Sequence, residues 1–127
     1  MGDIGIRERL VGQVTILDTD GQVRIGLRFG GSSVPLSKAV DSLLEKGANR
    51  ILLNLEGAGT INASGLGEIV ATYVAVKKTG GRFKLFNLKP LVRELMMTTK
   101  LLTIFDVYDT ESQAVESFSH DVIPSEA

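Results

Sequence analysis

The sequence predicts an α/β fold: a single layer of mixed β-sheet packed by about four crossover and terminal helices and opened by an N-terminal β-hairpin. Three observations carry this reading. Val23, Ile25, Leu27 and Phe29 alternate with Gln22, Arg24, Gly26 and Arg28, the period of a half-exposed strand. Ile51, Leu52, Leu53, Asn54 and Leu55 form a short apolar run that suits a strand buried on both faces. Leu66, Ile69, Val70, Tyr73 and Val74 recur at the three-and-four spacing of an amphipathic helix.

Taken in order, Leu10 to Leu17 is β-rich, and the turn-forming Asp18, Thr19, Asp20 and Gly21 separate it from the alternating run, which completes the hairpin. Gly30, Gly31, Ser32 and Ser33 break that pattern. A helix follows in which Pro35 suits the first turn, Leu36, Val40, Leu43 and Leu44 share a face, and Gly47 is the C-cap. After the Ile51 to Leu55 strand, a second helix runs from about Ala63 to Thr79 and ends at Gly80 and Gly81. Arg82 to Phe86 is a further strand. Pro90 opens a helix with Leu91, Leu95, Met96 and Leu102 inward, and Ile104 to Tyr108 is a last short strand. Thr110 and Gln113 make a capping-box pattern for a terminal helix carrying Ala114, Val115 and Phe118. Residues 1–127 read as one domain with an ordered core of about 8–119 and a loose tail from His120 to Ala127. Crossovers between parallel strands should be right-handed, and strand order stays open at this stage.

Composition narrows the function. A chain of 127 residues can hide roughly 68% of its unfolded surface, so no staple is needed. Cysteine is absent, which excludes disulfides, thiolate metal sites and cysteine nucleophiles and fits a reducing, cytoplasmic setting. With 14 basic and 15 acidic residues the net charge is −1, which gives no general attraction to nucleic acid or anionic membrane. Met1 to Arg9 lacks the apolar core of a signal peptide, and no later run approaches the ~20 apolar residues of a bilayer span.

The stretch from Glu56 to Gly67 joins a strand to a helix, the position where open α/β sheets place function. Its residues deny most catalytic chemistry. Ser64 has no Gly-x-Ser-x-Gly elbow around it, and the only histidine, His120, lies in the tail. His120 also has no His or Cys partners with which to ligate a metal. Gly57 and Gly59 follow a strand, but Asn62 occupies the third glycine position of a dinucleotide turn and no phosphate-loop lysine follows. Neither catalytic residues nor cofactors are expected. Lys77, Lys78, Arg82, Lys84, Lys89, Arg93 and Lys100 cluster in sequence, read first as a solvated surface and second as a protein-docking edge.

The turn does offer a switch. Asn62 is a good N-cap, and Ser64 falls in the first helical turn, where free N–H groups and the helix dipole favour an anion. A phosphate there would be locally tolerated and would bring about −1.5 to −2 charge to a surface that a partner must cover. On residue chemistry alone, a plain capping turn with an idle serine remains the competing account.

Ile61, Asn62, Ala63, Ser64, Gly65, Leu66 and Gly67 resemble the Asp-Ser-Ser-Gly-Leu-Gly motif of STAS domains, specifically of stand-alone bacterial anti-sigma factor antagonists. The resemblance extends over nearly the whole chain: the leading hairpin, Leu43 to Gly47 before Ile51 to Leu55, Gly80 and Gly81 before Phe83 to Asn87, and Leu101 to Phe105. It implies partner switching. An unphosphorylated antagonist binds an anti-sigma factor that is also a serine kinase, freeing a sigma factor for transcription. Phosphorylation of the motif's second serine, here Ser64, breaks the complex, and a metal-dependent serine phosphatase restores it. Asn62 stands where the motif has Asp, keeping the capping oxygen without its charge, and Ala63 replaces the first serine.

The expected partner surface comprises Thr60, Ser64, Glu68, Thr72 and the loop residues Ser32 and Ser33, with Asn62, Ala63, Gly65, Leu66 and Gly67 completing the motif. The expected protein is bacterial, cytoplasmic and not an enzyme, with no direct nucleic-acid or membrane partner. A STAS module that docks without phosphorylation, in a stressosome-like scaffold or a lipid-transport complex, is the alternative.

Overall fold

The computed structural model describes residues 6–19, 36–57 and 63–120. Strands β1 (Ile6–Val11) and β2 (Val14–Thr19) form an antiparallel hairpin. It is followed by α1 (Leu36–Glu45), β3 (Arg50–Asn54), α2 (Ala63–Lys78), β4 (Arg82–Phe86), α3 (Pro90–Thr98), β5 (Asp106–Tyr108) and α4 (Glu111–Ser117). The strands lie in sequence order, β1-β2-β3-β4-β5, with every pair after the hairpin parallel.

The hairpin differs in place from the sequence expectation. The Leu10 to Leu17 stretch is not one strand: Gly12 adopts φ +61°, and Val11 pairs with Val14 across a two-residue turn. A left-handed turn residue lets the strands keep their natural twist, so Gly12 is enough to divide the Leu10 to Leu17 stretch into two strands. Asp18 is instead a strand residue opposite Arg7. The alternating run at 22–29 and the Gly30 to Ser33 loop lie outside the described residues.

Register sorts the side chains into two cores. Leu17, Leu53, Leu85 and Val107 lie side by side across β2 to β5. They face Val40 and Leu43 of α1, Ile69 and Val76 of α2, and Val92 and Met96 of α3. One residue along, Ile16 and Leu52 point the other way and meet Ala114 and Phe118 of α4 and its 3-10 extension. Among the described residues, three helices therefore cover one face and a single short helix the other. Strand β3 is apolar on both faces, with Ile51 and Leu53 in one core and Leu52 in the other, as the run Ile51 to Leu55 required.

Helix ends explain the boundaries. Gly47, at φ +95°, donates to Leu44 O at 3.0 Å while Ala48 donates to Leu43 O at 3.0 Å. Gly80, at φ +82°, repeats the pattern with Lys77 O at 3.0 Å, and Gly81 donates to Val76 O at 3.1 Å. Both are Schellman endings, in which a left-handed residue turns the chain back onto its last free carbonyls. Gly81 has its own constraint, since a Cβ there would stand 2.7 Å from Asn49 O. Thr110 caps α4 as its sequence predicts, its Oγ1 accepting from Gln113 N at 3.2 Å.

One inward assignment and one strand boundary change here. Leu91 is exposed and Val92 takes its place in the core, because α3 enters from Pro90 with its register one position on. Ile104 is exposed after a 3-10 turn at Leu101–Thr103, so β5 begins at Asp106 rather than at Ile104. Lys84 occupies a strand position beneath α4 and is 2% exposed. Its Nζ lies 3.0 Å from Ser117 Oγ, to which it donates, and 4.5 Å from the Phe118 ring centroid. A buried ammonium is tolerated only with such partners, so Lys84 leaves the solvated basic face expected for it.

Candidate partner-binding site

The parallel strands β2, β3 and β4 finish at one sheet edge, and α2 starts beyond the end of β3. Asn54 closes β3 and ties down the chain as it leaves the sheet. Its Oδ1 accepts from Glu56 N at 3.0 Å, an Asx turn that an asparagine forms readily. Its Nδ2 donates to Asp18 Oδ1 at 2.8 Å. Between them, Leu55 is fully buried and its N–H donates to Phe86 O at 3.0 Å. The turn toward α2 thus departs from a fixed backbone position.

Asp18 is held in turn by Arg9 on the edge strand. The Arg9 guanidinium donates from Nε and Nη2 to Asp18, the latter at 3.0 Å, and from Nη2 and Nη1 to Glu111 of α4 at 2.8 and 3.3 Å. These are two forked, charge-assisted pairs on one cation. Hydrogen bonding from Arg9 holds the Asp18 carboxyl below its usual range, with burial opposing and Asn54 assisting. The two carboxylates drive the Arg9 pKa further upward.

Ser64 is the second residue of α2, so its backbone lies in the first helical turn as the sequence requires. No acidic side chain occupies that turn, while Lys77 and Lys78 occupy the last. This charge arrangement complements the helix dipole at its C-terminal end, and no carboxylate of the first turn repels an anion at the N-terminal end. Ala63 and Gly65 flank Ser64 in the same turn. Leu66 packs half-buried against the main core, and Gly67 is exposed with nothing within 4 Å of a would-be Cβ. Packing therefore does not demand glycine at 67. Thr60 and Asn62, with the expected N-cap, lie outside the described residues, as do Ser32 and Ser33.

The α2 surface needs correction. Thr72 is fully buried and donates from Oγ1 to Glu68 O at 2.7 Å. It shares the sheet-facing side with Ile69 and Val76, the three-and-seven spacing of one helix face, so it offers nothing to a partner. Glu68 is half-buried. Exposed instead are Gly67, Ala71 and Val74, and Val74 was expected inside. Ser64, three residues before Gly67 and seven before Ala71, occupies the matching helical positions. A helix that is apolar on its solvent side as well as its core side marks a surface another protein can cover. The signal was present in the run Ile69 to Val76, where apolar residues exceed what one face can hold.

A groove of about 740 Å³ lies at the other end of the strands, lined by Leu10, Thr15, Leu43, Lys46, Asn49 and Arg50. It shares no residue with the turn. Among the described residues, no group of three or more His, Asp or Glu is placed to hold a metal ion, and no helix is long and apolar enough to cross a membrane.

A family model for the STAS domain matches residues 11–114. The chain belongs to the STAS family. STAS relatives include the anti-sigma-B factor antagonist of Bacillus subtilis, 34% identical over 91 residues that span 71% of this chain and 83% of that one. A Thermotoga neapolitana protein named for the same class is 38% identical over 76 residues, 60% of this chain and 67% of its own. A crystal structure of a Thermotoga maritima protein of that class superposes with a TM-score of 0.77 at 29% identity, covering 88% of this chain and 92% of the other. The five-stranded mixed sheet and four helices are those of a STAS domain. This STAS chain thus falls among homologues that carry the name anti-sigma factor antagonist.

Proposed function

We propose that this STAS protein is an anti-sigma factor antagonist that binds an anti-sigma factor with serine-kinase activity and is released when that kinase phosphorylates Ser64. The position of Ser64 carries the reading: it lies in the first turn of α2, in register with the exposed Gly67, Ala71 and Val74. A partner covering that strip must desolvate whatever sits at position 64. A neutral hydroxyl is covered at small cost, whereas a phosphate dianion brought against a partner without a matching cation is strongly disfavoured. The proposed docking surface comprises the turn from Thr60, the motif from Asn62 to Gly67, and the exposed strip of α2 with Glu68 at its margin, and the proposal extends it to Ser32 and Ser33. A metal-dependent serine phosphatase resets the cycle. The protein is a cytoplasmic binding partner and a substrate of other enzymes rather than a catalyst, and it regulates sigma-dependent transcription by competing for the anti-sigma factor.

The test is incubation of wild type and Ser64→Ala with ATP and the serine-kinase anti-sigma factor of the same organism, followed by intact mass and peptide mapping. Wild type should gain one phosphate on the peptide containing Ser64, and Ser64→Ala should gain none. Equal modification of both would remove Ser64 from its assigned role. Binding of both without modification of either would instead support a docking module that works without phosphorylation.

A further inference from the structure

Lys77, Lys78 and Lys100 belong to two separate segments, the end of α2 and the turn after α3, and the fold brings those segments together. Tyr73 of α2 meets Phe105 edge-on with ring centroids 5.2 Å apart, and Lys77 Nζ lies 5.9 Å from the Tyr73 centroid. Lys100 opens the 3-10 turn Leu101–Thr103, from which the chain continues into Ile104 and Phe105. Tyr73, Leu101 and Leu102 are half-buried against the main core, while Val74 is 44% and Ile104 48% exposed. A lone exposed apolar residue is ordinary; here two β-branched side chains stand beside three half-buried apolar ones, so apolar surface reaches solvent across both segments. All three lysines are exposed. Among the described residues no carboxylate pairs with them: Asp18 and Glu111 are held by Arg9, and Asp109 by Arg93. Lys78 lies four residues after Val74 and seven after Ala71, so the exposed strip of α2 runs directly into this basic rim.

We propose that the docking surface on α2 extends to this rim and takes an acidic amphipathic segment of the anti-sigma factor: its apolar side chains seat on Tyr73, Val74 and Ile104, and its carboxylates reach Lys77, Lys78 and Lys100. The inference rests on the reading of the α2 strip as that partner's docking surface, not on phosphorylation, and adds the chemistry of the segment that meets its far end. Charge complementarity selects this occupant. A basic segment would set cation against cation, and a neutral one would desolvate three ammonium groups without matching them. Anionic lipid recruits clusters of about four to eight basic residues, more than this rim holds. Nucleic acid is opposed by the net charge of −1 once more than a few phosphates approach. The two chemistries divide the kinetics. Exposed rim charges steer encounter and set the association rate, whereas the apolar contacts at Val74 and Ile104 set the lifetime of the complex.

The test measures association and dissociation rates with the anti-sigma factor of the same organism, without ATP so that no phosphate is added. The rim variant combines Lys77→Gln, Lys78→Gln and Lys100→Gln. A control with the same change in net charge combines Ser112→Glu, Gln113→Glu and Ser119→Glu, exposed positions on and just after α4, on the opposite face of the sheet. The rim variant should associate about tenfold more slowly than wild type at about 0.01 M ionic strength, where charges act over roughly 30 Å, and the gap should narrow to about threefold at about 0.15 M. The control should stay within about threefold of wild type at the lower ionic strength. Ile104→Ser, at an exposed site, should dissociate about fivefold faster with its association rate unchanged. A rim variant slowed no more than the control, or Ile104→Ser dissociating at the wild-type rate, would overturn the proposal. Wild-type protein that cosediments with vesicles of equal phosphatidylcholine and phosphatidylserine, and a rim variant that does not, would reassign the rim to membrane and overturn it as well. Failure of wild type to bind the anti-sigma factor would overturn the functional reading and this inference together, whereas normal wild-type binding with an unaffected rim variant would overturn this inference alone.

Discussion

Asp18 shows how single residues bear on this molecule. It lies at the end of β2 with its side chain 24% exposed, bound by Arg9, whose side chain is 40% exposed. Solvent screening keeps such a pair modest, about 1 kcal/mol. The Asp18 carboxyl is held below its usual range, so its folded pKa is lower than its unfolded one. Its stabilisation is therefore present above about pH 4 and is lost as the pH falls through the folded value. Urea denaturation of wild type and Asp18→Asn should differ by about 1 kcal/mol at pH 7, and the difference should shrink as the pH falls below the ordinary carboxylate range and through the lowered folded value. A gap that stays constant with pH would show that the carboxylate is not the source. Nothing in the sequence announced the Arg9, Asp18 and Asn54 relay, because three polar residues on three strands converge only once strand order is known. Asp18 itself was read as a turn former, a common role for aspartate that its β2 pairing overrides. Thr72 was misplaced for a simpler reason: a buried threonine can satisfy its hydroxyl on the carbonyl four residues back, so polarity did not report exposure.

At the scale of elements, periodicity and punctuation were reliable where they agreed. α2 and β4 fall where the apolar spacing and the Gly80, Gly81 pair placed them, and α1 and α2 both end on glycines at left-handed positions. The Leu10 to Leu17 stretch was read as one strand because Gly12 alone is a weak turn signal, and the backbone conformation that gives it force cannot be seen in a residue name. α3 ends differently from its neighbours. Lys100 occupies the left-handed position at φ +65°, donating to Met97 O at 3.0 Å, where α1 and α2 use glycine. A side chain in that conformation costs about 1 kcal/mol. Lys100→Gly should therefore stabilise the protein by up to about 1 kcal/mol, less any gain in unfolded-chain entropy, as read from the urea midpoint at unchanged m-value. A lower midpoint would mean that the Lys100 side chain contributes more than its backbone costs.

For the whole molecule, sequential strand order with three helices on one face and α4 on the other gathers the strand ends, the start of α2 and the relay at one edge of the sheet. The fold class and the motif were legible because both depend on local pattern; the exposed strip on α2 was legible only as an apolar excess in Ile69 to Val76, which looks like core until the helix is seated. The central claim is that a phosphate on Ser64 decides whether this surface is occupied. Calorimetric titration of the anti-sigma factor partner with one preparation of the protein, before and after stoichiometric phosphorylation of Ser64, tests it most directly. The account predicts at least about a 100-fold loss of affinity on phosphorylation, with Ser64→Ala binding like the unmodified protein. Equal affinity of the two forms, with the phosphate verified on Ser64, would contradict it.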